Sequence, residues 1–250
     1  MSKHHFLPHE LCERLAPEDM GLVYTSVERI SLRGRRTIQS AAEETCLVVI
    51  EGCVAYACAG QAGHAVLCDM LYVPVDAAIT LEGTECVLMR YGAPCARSTS
   101  FAHIQFADVD ADERHKTYGT AENGTRRDVW NCIDERFDSS RFLVGICFGS
   151  AGGWTAWPPH EHGEKREEVY VYFNMGDGFA LQCVYEDMEK PDAVALVQNG
   201  HLVAIPAGYH PNVGCPKTGI RYIYCMVSTT PEDRAFMDLR TQAQYGDRLV

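Results

Sequence analysis

The feature that most constrains this chain is a succession of short runs rich in Val, Ile, Tyr, Phe and Thr, each closed by Gly, Pro, Asp or Asn: LVYTSVERISL, TCLVVIEG, HAVLCDMLYVPV, AITLEG, CVLMRYG, RFLVGICFG, EEVYVYFN, FALQCVYE, AVALVQNG, HLVAIPAG and RYIYCMV. β-Branched and aromatic residues suit a pleated, half-buried surface, and the punctuating residues supply the turns between. Many short strands at this spacing predict an all-β sandwich or barrel. Helical signals are few. One segment runs from about Pro8 to Arg14, and in PEDRAFMDLRTQ the residues Thr230, Pro231, Glu232 and Asp233 read as a helix start.

An internal repeat suggests that the strands fall into two barrels. When CDMLYVPVDAA is laid on GHLVAIPAGYH, the apolar pattern coincides, Pro74 meets Pro206, and Ala78 falls where His210 stands. Upstream, Glu44 before TCLVVI is laid on Glu168 before VYVYF, but no histidine pair precedes Glu44. One half is thus expected to keep a metal site and the other only its scaffold. The 250 residues allow two halves of about 100 to 125 residues, each large enough for a core of its own. Residues 94–125, polar and irregular, read as the linker between them.

Composition narrows the partners. Apolar residues at 46% and charged residues at 22% fit an ordinary globular protein. A formal charge of -12 without a Lys/Arg block argues against nucleic acid and against a membrane surface. An anionic substrate would need local positive charge, for which Lys165, Arg166, Arg126, Arg127 and Arg221 are available. The twelve cysteines include no C-x-x-C, the start MSKHHFLPHE has no apolar h-region, and Cys46 and Cys225 lie inside apolar runs. They read as reduced, buried thiols, and the cytoplasm is the expected compartment. No apolar stretch approaches the roughly 20 residues that span a bilayer.

The run PPHEHGEKREEVYVY carries the chemistry. On a strand, alternate side chains share a face, so His160 and His162 are expected to project together. Glu168, Tyr170 and Tyr172 share one parity on the next strand, which antiparallel pairing could bring across from the histidines. His210, after the turn Pro206-Ala207-Gly208, would face the same centre from a third strand. Three neutral imidazoles and a carboxylate suit one divalent ion, Zn, Mn, Fe, Ni or Co, with room left for a substrate oxygen. A lone H-x-H pair is more often merely solvated or hydrogen-bonded; the carboxylate and His210 at these offsets tip the balance toward metal. Glu167 competes with Glu168, but alternation puts it on the opposite face from Tyr170 and Tyr172. His4, His5 and His9 read as mobile terminal residues, and His64, His103, His115 and His201 as ordinary polar ones. Trp154 and Trp157 are expected to pack at the barrel mouth.

GGWTAWPPHEH, EEVYVY, GFALQCVYED and VAIPAGYHP resemble the 5-deoxy-glucuronate isomerase family of inositol catabolism, with weaker echoes at ETCLVVIEGCV and at NGTRRDVW, which contains Arg127. The resemblance spans nearly the whole chain. It implies a bicupin, two double-stranded β-helix (jelly-roll) barrels in one chain, related to the 5-keto-4-deoxyuronate isomerases. Residues 1–110 would form a degenerate barrel without metal ligands and residues 111–250 the metal-binding barrel. The family's ligand motif falls on His160, His162, Glu168 and His210. The implied reaction is an aldose–ketose isomerisation, an intramolecular oxidoreduction, from 5-deoxy-glucuronate to 5-dehydro-2-deoxy-gluconate.

Glu168, Tyr170 or Tyr172 would handle the proton, and Arg166, Arg127 and Gln182 would bind the anionic sugar acid. Two departures from the family pattern bear on the substrate: Cys183 follows Gln182 where arginine is usual, and Tyr224 stands where asparagine is common. Rival readings are a 5-keto-4-deoxyuronate-type isomerase, an iron-dependent cupin oxygenase and a non-catalytic sugar-acid-binding cupin. Sheet edges that could pair between copies make a homo-oligomer an expectation.

Overall fold

The computed structural model describes residues 3–246. From the N-terminus it runs through β1 (His5–Phe6), 3-10 turns at Pro8–Leu11 and Pro17–Met20, β2 (Ser26–Ser40), β3 (Glu43–Glu51), β4 (Cys53–Cys58), β5 (Gln61–Val66), β6 (Met70–Val73), β7 (Ala77–Pro94), β8 (Ala102–Ile104) and α1 (Phe106–Asp110). It continues with β9 (His115–Tyr118), β10 (Arg127–Ile133), β11 (Phe142–Gly149), β12 (Trp154–Thr155), β13 (His160–Glu161), β14 (Arg166–Tyr172), β15 (Ala180–Val184), β16 (Ala193–Val197), β17 (Leu202–Ile205), β18 (Asn212–Gly214), β19 (Ile220–Ser228) and β20 (Arg240–Thr241). The fold is nearly all β, with one α-helix among the described residues. No helix among them is long and apolar enough to cross a membrane.

The N-terminal half forms one seven-stranded sheet in the order β5-β4-β7-β3-β6-β8, with β2 also paired to β7. In the C-terminal half a seven-stranded sheet, β1-β17-β14-β19-β11-β10-β9, faces a four-stranded one, β12-β18-β15-β16, and β13 pairs with β20. Strand alternation divides the apolar residues into three clusters. Leu47 and Val49 of β3 join Ile30, Leu71, Ile79 and Leu88 inside the N-terminal half. Tyr170 and Tyr172 of β14 join Val203, Tyr222 and Met226 inside the C-terminal half. The opposite faces of the same two strands, Cys46, Val48 and Ile50 against Val169 and Val171, share a third cluster that draws on both halves. Each fully buried Val, Ile or Leu there stabilises by about 1.5–3 kcal/mol, so parting the halves would be costly.

Two buried carboxylates fasten this shared layer reciprocally. Glu167 accepts from the backbone N–H of Val23 (2.8 Å), Tyr24 (2.9 Å) and Thr25 (2.6 Å) and from the Thr25 hydroxyl (2.6 Å). Glu44 accepts from the N–H of Ser140 (2.8 Å) and Arg141 (2.6 Å) and from the Tyr72 hydroxyl (2.7 Å). Register explains the symmetry and corrects the repeat read from sequence. Thr45 pairs with Val73 and Glu168 with Ile205, so with Pro74 on Pro206 it is Thr45 that occupies the place of Glu168, and Glu44 that of Glu167.

Other expectations also change. The segment 94–125 is no plain linker: β8 pairs with β6, and β9 with β10. The helix expected over PEDRAFMDLRTQ does not form. Arg234 is tied instead to the carbonyls of Asp134 (2.8 Å), Phe142 (3.0 Å) and Phe137 (2.5 Å), and β20 pairs with β13. Near the N-terminus only the single 3-10 turn Pro8–Leu11 forms where a helix to Arg14 was expected. The N-terminal histidines are anchored: His4 Nδ1 meets the Ala204 carbonyl at 2.9 Å, and His5 Nε2 meets His201 Nδ1 at 2.9 Å. All twelve cysteines are free and most are buried; burial pushes the Cys46 and Cys225 thiols well above their usual range, so these two behave as small hydrophobes.

Candidate metal centre

Only His160 lies on a strand. β13 is two residues long and pairs with β20 instead of β14, and His162 precedes the 3-10 turn Gly163–Lys165. His210 sits between the Tyr185–Tyr209 bridge and β18. Convergence is therefore achieved by turns as much as by alternation. The turn before His210 requires glycine: Gly208 has φ +90°, and a Cβ there would come 2.8 Å from the Tyr185 carbonyl oxygen.

One ring nitrogen from each of His160, His162 and His210 lies within 4.8 Å of the others. Glu168 Oε2 is 3.3 Å from His162 Nε2 and 3.1 Å from His210 Nε2. The backbone sets two of the tautomers. Nδ1–H of His160 donates to the Pro158 carbonyl (3.0 Å) and Nδ1–H of His210 to that of Gly208 (2.9 Å), which leaves each Nε2 as a lone pair.

The electrostatics suit a cation. Burial, reinforced by His210 and His162, drives the His160 imidazole well below its usual range, so it is neutral. Burial works against charge on Glu168, but the close approach of His162 and His210 outweighs it and holds the carboxyl below the ordinary range. The short Glu168 contacts are poorly aligned as hydrogen bonds: His162 Nδ1 and Nε2, His210 Nε2 and Glu168 Oε2 are buried without a hydrogen-bond partner. Each such atom costs about 1–3 kcal/mol. A divalent ion would compensate Glu168 and the Nε2 atoms together, and three imidazoles with a carboxylate are donors that such an ion accepts.

The cluster opens into a cavity of about 50 Å³ walled by Tyr118, Arg127, Val129, Cys147, Ala156, Tyr170, Tyr222, Tyr224, Met226, Phe236 and Leu239. Among the described residues, Arg127 is the one Lys or Arg in the wall. The guanidinium lies over the Tyr118 ring at 5.3 Å and donates to the carbonyls of Thr125 (3.0 Å) and Trp157 (2.6 Å). Tyr170 also faces the cavity, and burial followed by the Glu168 charge pushes its phenol well above the usual range.

Of the remaining residues singled out in the sequence, Tyr224 is in the wall and Tyr172, Gln182, Arg166, Lys165 and Arg221 are not. Tyr172 donates to Gln182 Oε1 at 2.5 Å, and Gln182 Nε2 donates to the backbone carbonyl of His210 at 2.8 Å. Arg166 is buried and donates to the Asp238 carbonyl at 2.7 Å, while Lys165 pairs with the Asp238 carboxylate at 2.5 Å. Arg221 lies over the Phe148 ring. The rings of Trp154 and Trp157 meet at a tilt, 5.4 Å between centres, outside the wall. Of the two departures from the family pattern, Cys183 lies on β15 next to Gln182 and is not in the wall, whereas Tyr224 forms part of it and donates to Asn131 Oδ1 at 2.5 Å.

Sequence reasoning missed Tyr118, Tyr222, Phe236 and Leu239. The alternation Tyr222, Tyr224, Met226 on RYIYCMV was a usable signal, because β19 pairs with β14. Phe236 and Leu239 lay hidden in the segment read as a helix.

A nearly all-β fold with a buried three-histidine cluster defines a cupin-like protein. Bacillus subtilis oxalate decarboxylase, studied for its Mn(II) centres, superposes with a TM-score of 0.63 at 9% identity, over 98% of this chain and 81% of that one. An IolB-like protein from Salmonella typhimurium LT2 superposes with a TM-score of 0.82 at 22% identity, over 93% of each chain. The chain belongs to the KduI/IolB family, whose sequence model matches residues 6–243. Among curated relatives, the 5-deoxy-glucuronate isomerase of Geobacillus kaustophilus is 29% identical over 79% of this chain and 77% of its own length. That of Shouchella clausii is 32% identical over 59% of this chain, and the match spans 56% of the Shouchella protein.

Proposed function

We propose that this protein is a metal-dependent aldose–ketose isomerase of a deoxy uronic acid, converting 5-deoxy-glucuronate to 5-dehydro-2-deoxy-gluconate in myo-inositol breakdown in the cytoplasm. The scaffold is read as a bicupin, with residues 1–110 as the barrel without ligands and 111–250 as the metal-binding one. The observation that carries the reading is the set of buried, unmatched donor atoms of His162, His210 and Glu168, converging with His160 on a cavity that holds one buried guanidinium. The names of the curated relatives supply the substrate.

His160, His162, Glu168 and His210 would hold one divalent ion. When bound, such an ion supplies Lewis acidity to a carbonyl and stabilises negative charge on its oxygen. The chain's own groups do the rest. Arg127, fixed by two carbonyls, offers its guanidinium to the substrate carboxylate. Isomerisation breaks a C–H bond on the hydroxyl-bearing carbon beside the aldehyde and forms one on the former aldehyde carbon, while a proton passes between the two oxygens. Tyr170, held protonated, fits the role of donor in that exchange, and Glu168, held ionised, that of acceptor. The cavity has room for little more than a water or two.

The test is NMR of 5-deoxy-glucuronate with metal-loaded protein in D2O. Loss of the aldehyde signal, growth of a ketone and deuterium on the carbon that receives the proton are expected; unchanged substrate would refute the assignment. A second reading, an isomerase of another sugar acid such as a 5-keto-4-deoxyuronate, draws on Tyr224, a departure from the family pattern that lies in the wall, and predicts turnover of that acid instead.

A further inference from the structure

We infer that Gln182 is a positioning residue for His210: its side-chain amide grips the peptide that carries this histidine and thereby sets how tightly the site holds a divalent ion. The inference rests on the metal reading above but assigns Gln182 a role away from the substrate.

Gln182 is fully buried on β15, flanked on the interior face of its strand by the apolar Ala180 and Val184. An amide in such a place costs roughly 1–3 kcal/mol unless its atoms are hydrogen-bonded. Here both ends are. Nε2 donates to the carbonyls of His210 (2.8 Å) and Cys183 (2.7 Å), with a longer contact to that of Pro211 (3.3 Å). Oε1 accepts from the Tyr172 hydroxyl (2.5 Å) and from Asn212 Nδ2 (2.8 Å). Asn212 in turn accepts from the Thr155 hydroxyl. Four strands, β12, β14, β15 and β18, thus contribute to one chain of bonds that ends on the backbone of His210.

The N-terminal half shows that the fold does not need this amide. On β4 the interior residues are Val54, Tyr56 and Cys58, with no amide among them. The backbone around His160 is fixed by pairing of β13 with β20. His210 lies outside a regular strand, so its carbonyl has no ladder partner of that kind, and Gln182 takes the ladder's place. With Nδ1 held by Gly208 and the carbonyl held by Gln182, the direction of the free Nε2 is fixed from both sides.

The experiment measures metal affinity by chelator competition, with the visible spectrum of the Co(II)-loaded protein, for wild type, Gln182→Met, Gln182→Glu and Thr155→Val. Apo-protein melting is followed in parallel. Both Gln182 variants keep the volume, and Gln182→Glu also keeps the bonds accepted from Tyr172 and Asn212 while losing the donor to His210. Affinity is expected to fall roughly 10- to 100-fold in both, with a changed Co(II) spectrum. Thr155→Val, which cuts the same chain at its far end, should stay within about threefold of wild type. Wild-type affinity in either folded Gln182 variant, equal weakening in Thr155→Val, or failure of both Gln182 variants to fold would overturn the inference. Absence of metal binding by the wild type would instead bring down the metal reading itself.

Discussion

At the register position where the C-terminal half carries Glu168, opposite Ile205, the N-terminal half carries Thr45, opposite Val73. Its hydroxyl is satisfied by Ser40 at 2.5 Å. Where Tyr224 lies opposite Tyr170, Arg90 lies opposite Leu47. Arg90 pairs with Glu43 (2.9 Å) and Glu28 (3.3 Å), and Glu28 also takes Arg36 (2.5 Å). Both halves thus bury polar groups on related strands. In the first, cations and carboxylates largely neutralise one another; in the second, lone pairs face one another unmatched. A scaffold becomes a candidate metal site through which atoms it leaves unpaired: in the first half these are Arg29 Nε, Arg90 Nε and the Tyr91 hydroxyl, in the second they include the clustered lone pairs of His162, His210 and Glu168.

The comparison breaks most decisively at the ligands. His210→Ala should lower turnover on the order of 10³-fold, the scale seen when a group that stabilises developing charge is removed. Arg90→Met in the other half should leave kcat within about twofold, because its charge network touches no wall of the cavity. Steady-state kinetics on both variants checks the pair.

Stability should respond symmetrically where chemistry does not. Glu44→Ala strands two backbone N–H donors of the opposite half and Glu167→Ala three. Each should cost about 3 kcal/mol or more in denaturant unfolding. A large loss in one and none in the other would show that the shared layer is not fastened reciprocally.

Arg127→Met sharpens the comparison at the substrate. Loss of a charge-assisted contact of about 1.5–3 kcal/mol should raise KM roughly 10- to 100-fold. Metal content should be unaffected, as read by elemental analysis alongside the kinetics. Arg90→Met also bears on stability. Removing a partner from a mostly buried but self-paired network should cost no more than about 3 kcal/mol, less than either glutamate variant.

Much of this contrast was legible in the sequence. Period-two alternation separated Glu168 from Glu167, and the structure puts Glu168 against the histidines and Glu167 against Val23, Tyr24 and Thr25. The repeat aligned Pro74 with Pro206 but slipped by one at Glu44. With two adjacent glutamates to choose from, only strand register fixes the match. The segment around Phe236 was misread because its local helix signal is outweighed by tertiary ties: the Arg234 bonds to four carbonyls and the pairing of β20 with β13. Gln182 was legible as a special residue but not in its role, since no spacing rule reveals a bond to a carbonyl contributed by a distant turn.

The central claim is that one half alone holds the ion. Its most direct test is metal stoichiometry after loading and dialysis, by elemental analysis on wild type and on His162→Ala/His210→Ala. One divalent ion per chain in the wild type and none in the double variant is the predicted result; two ions per chain, none in the wild type, or an ion retained by the double variant would contradict it.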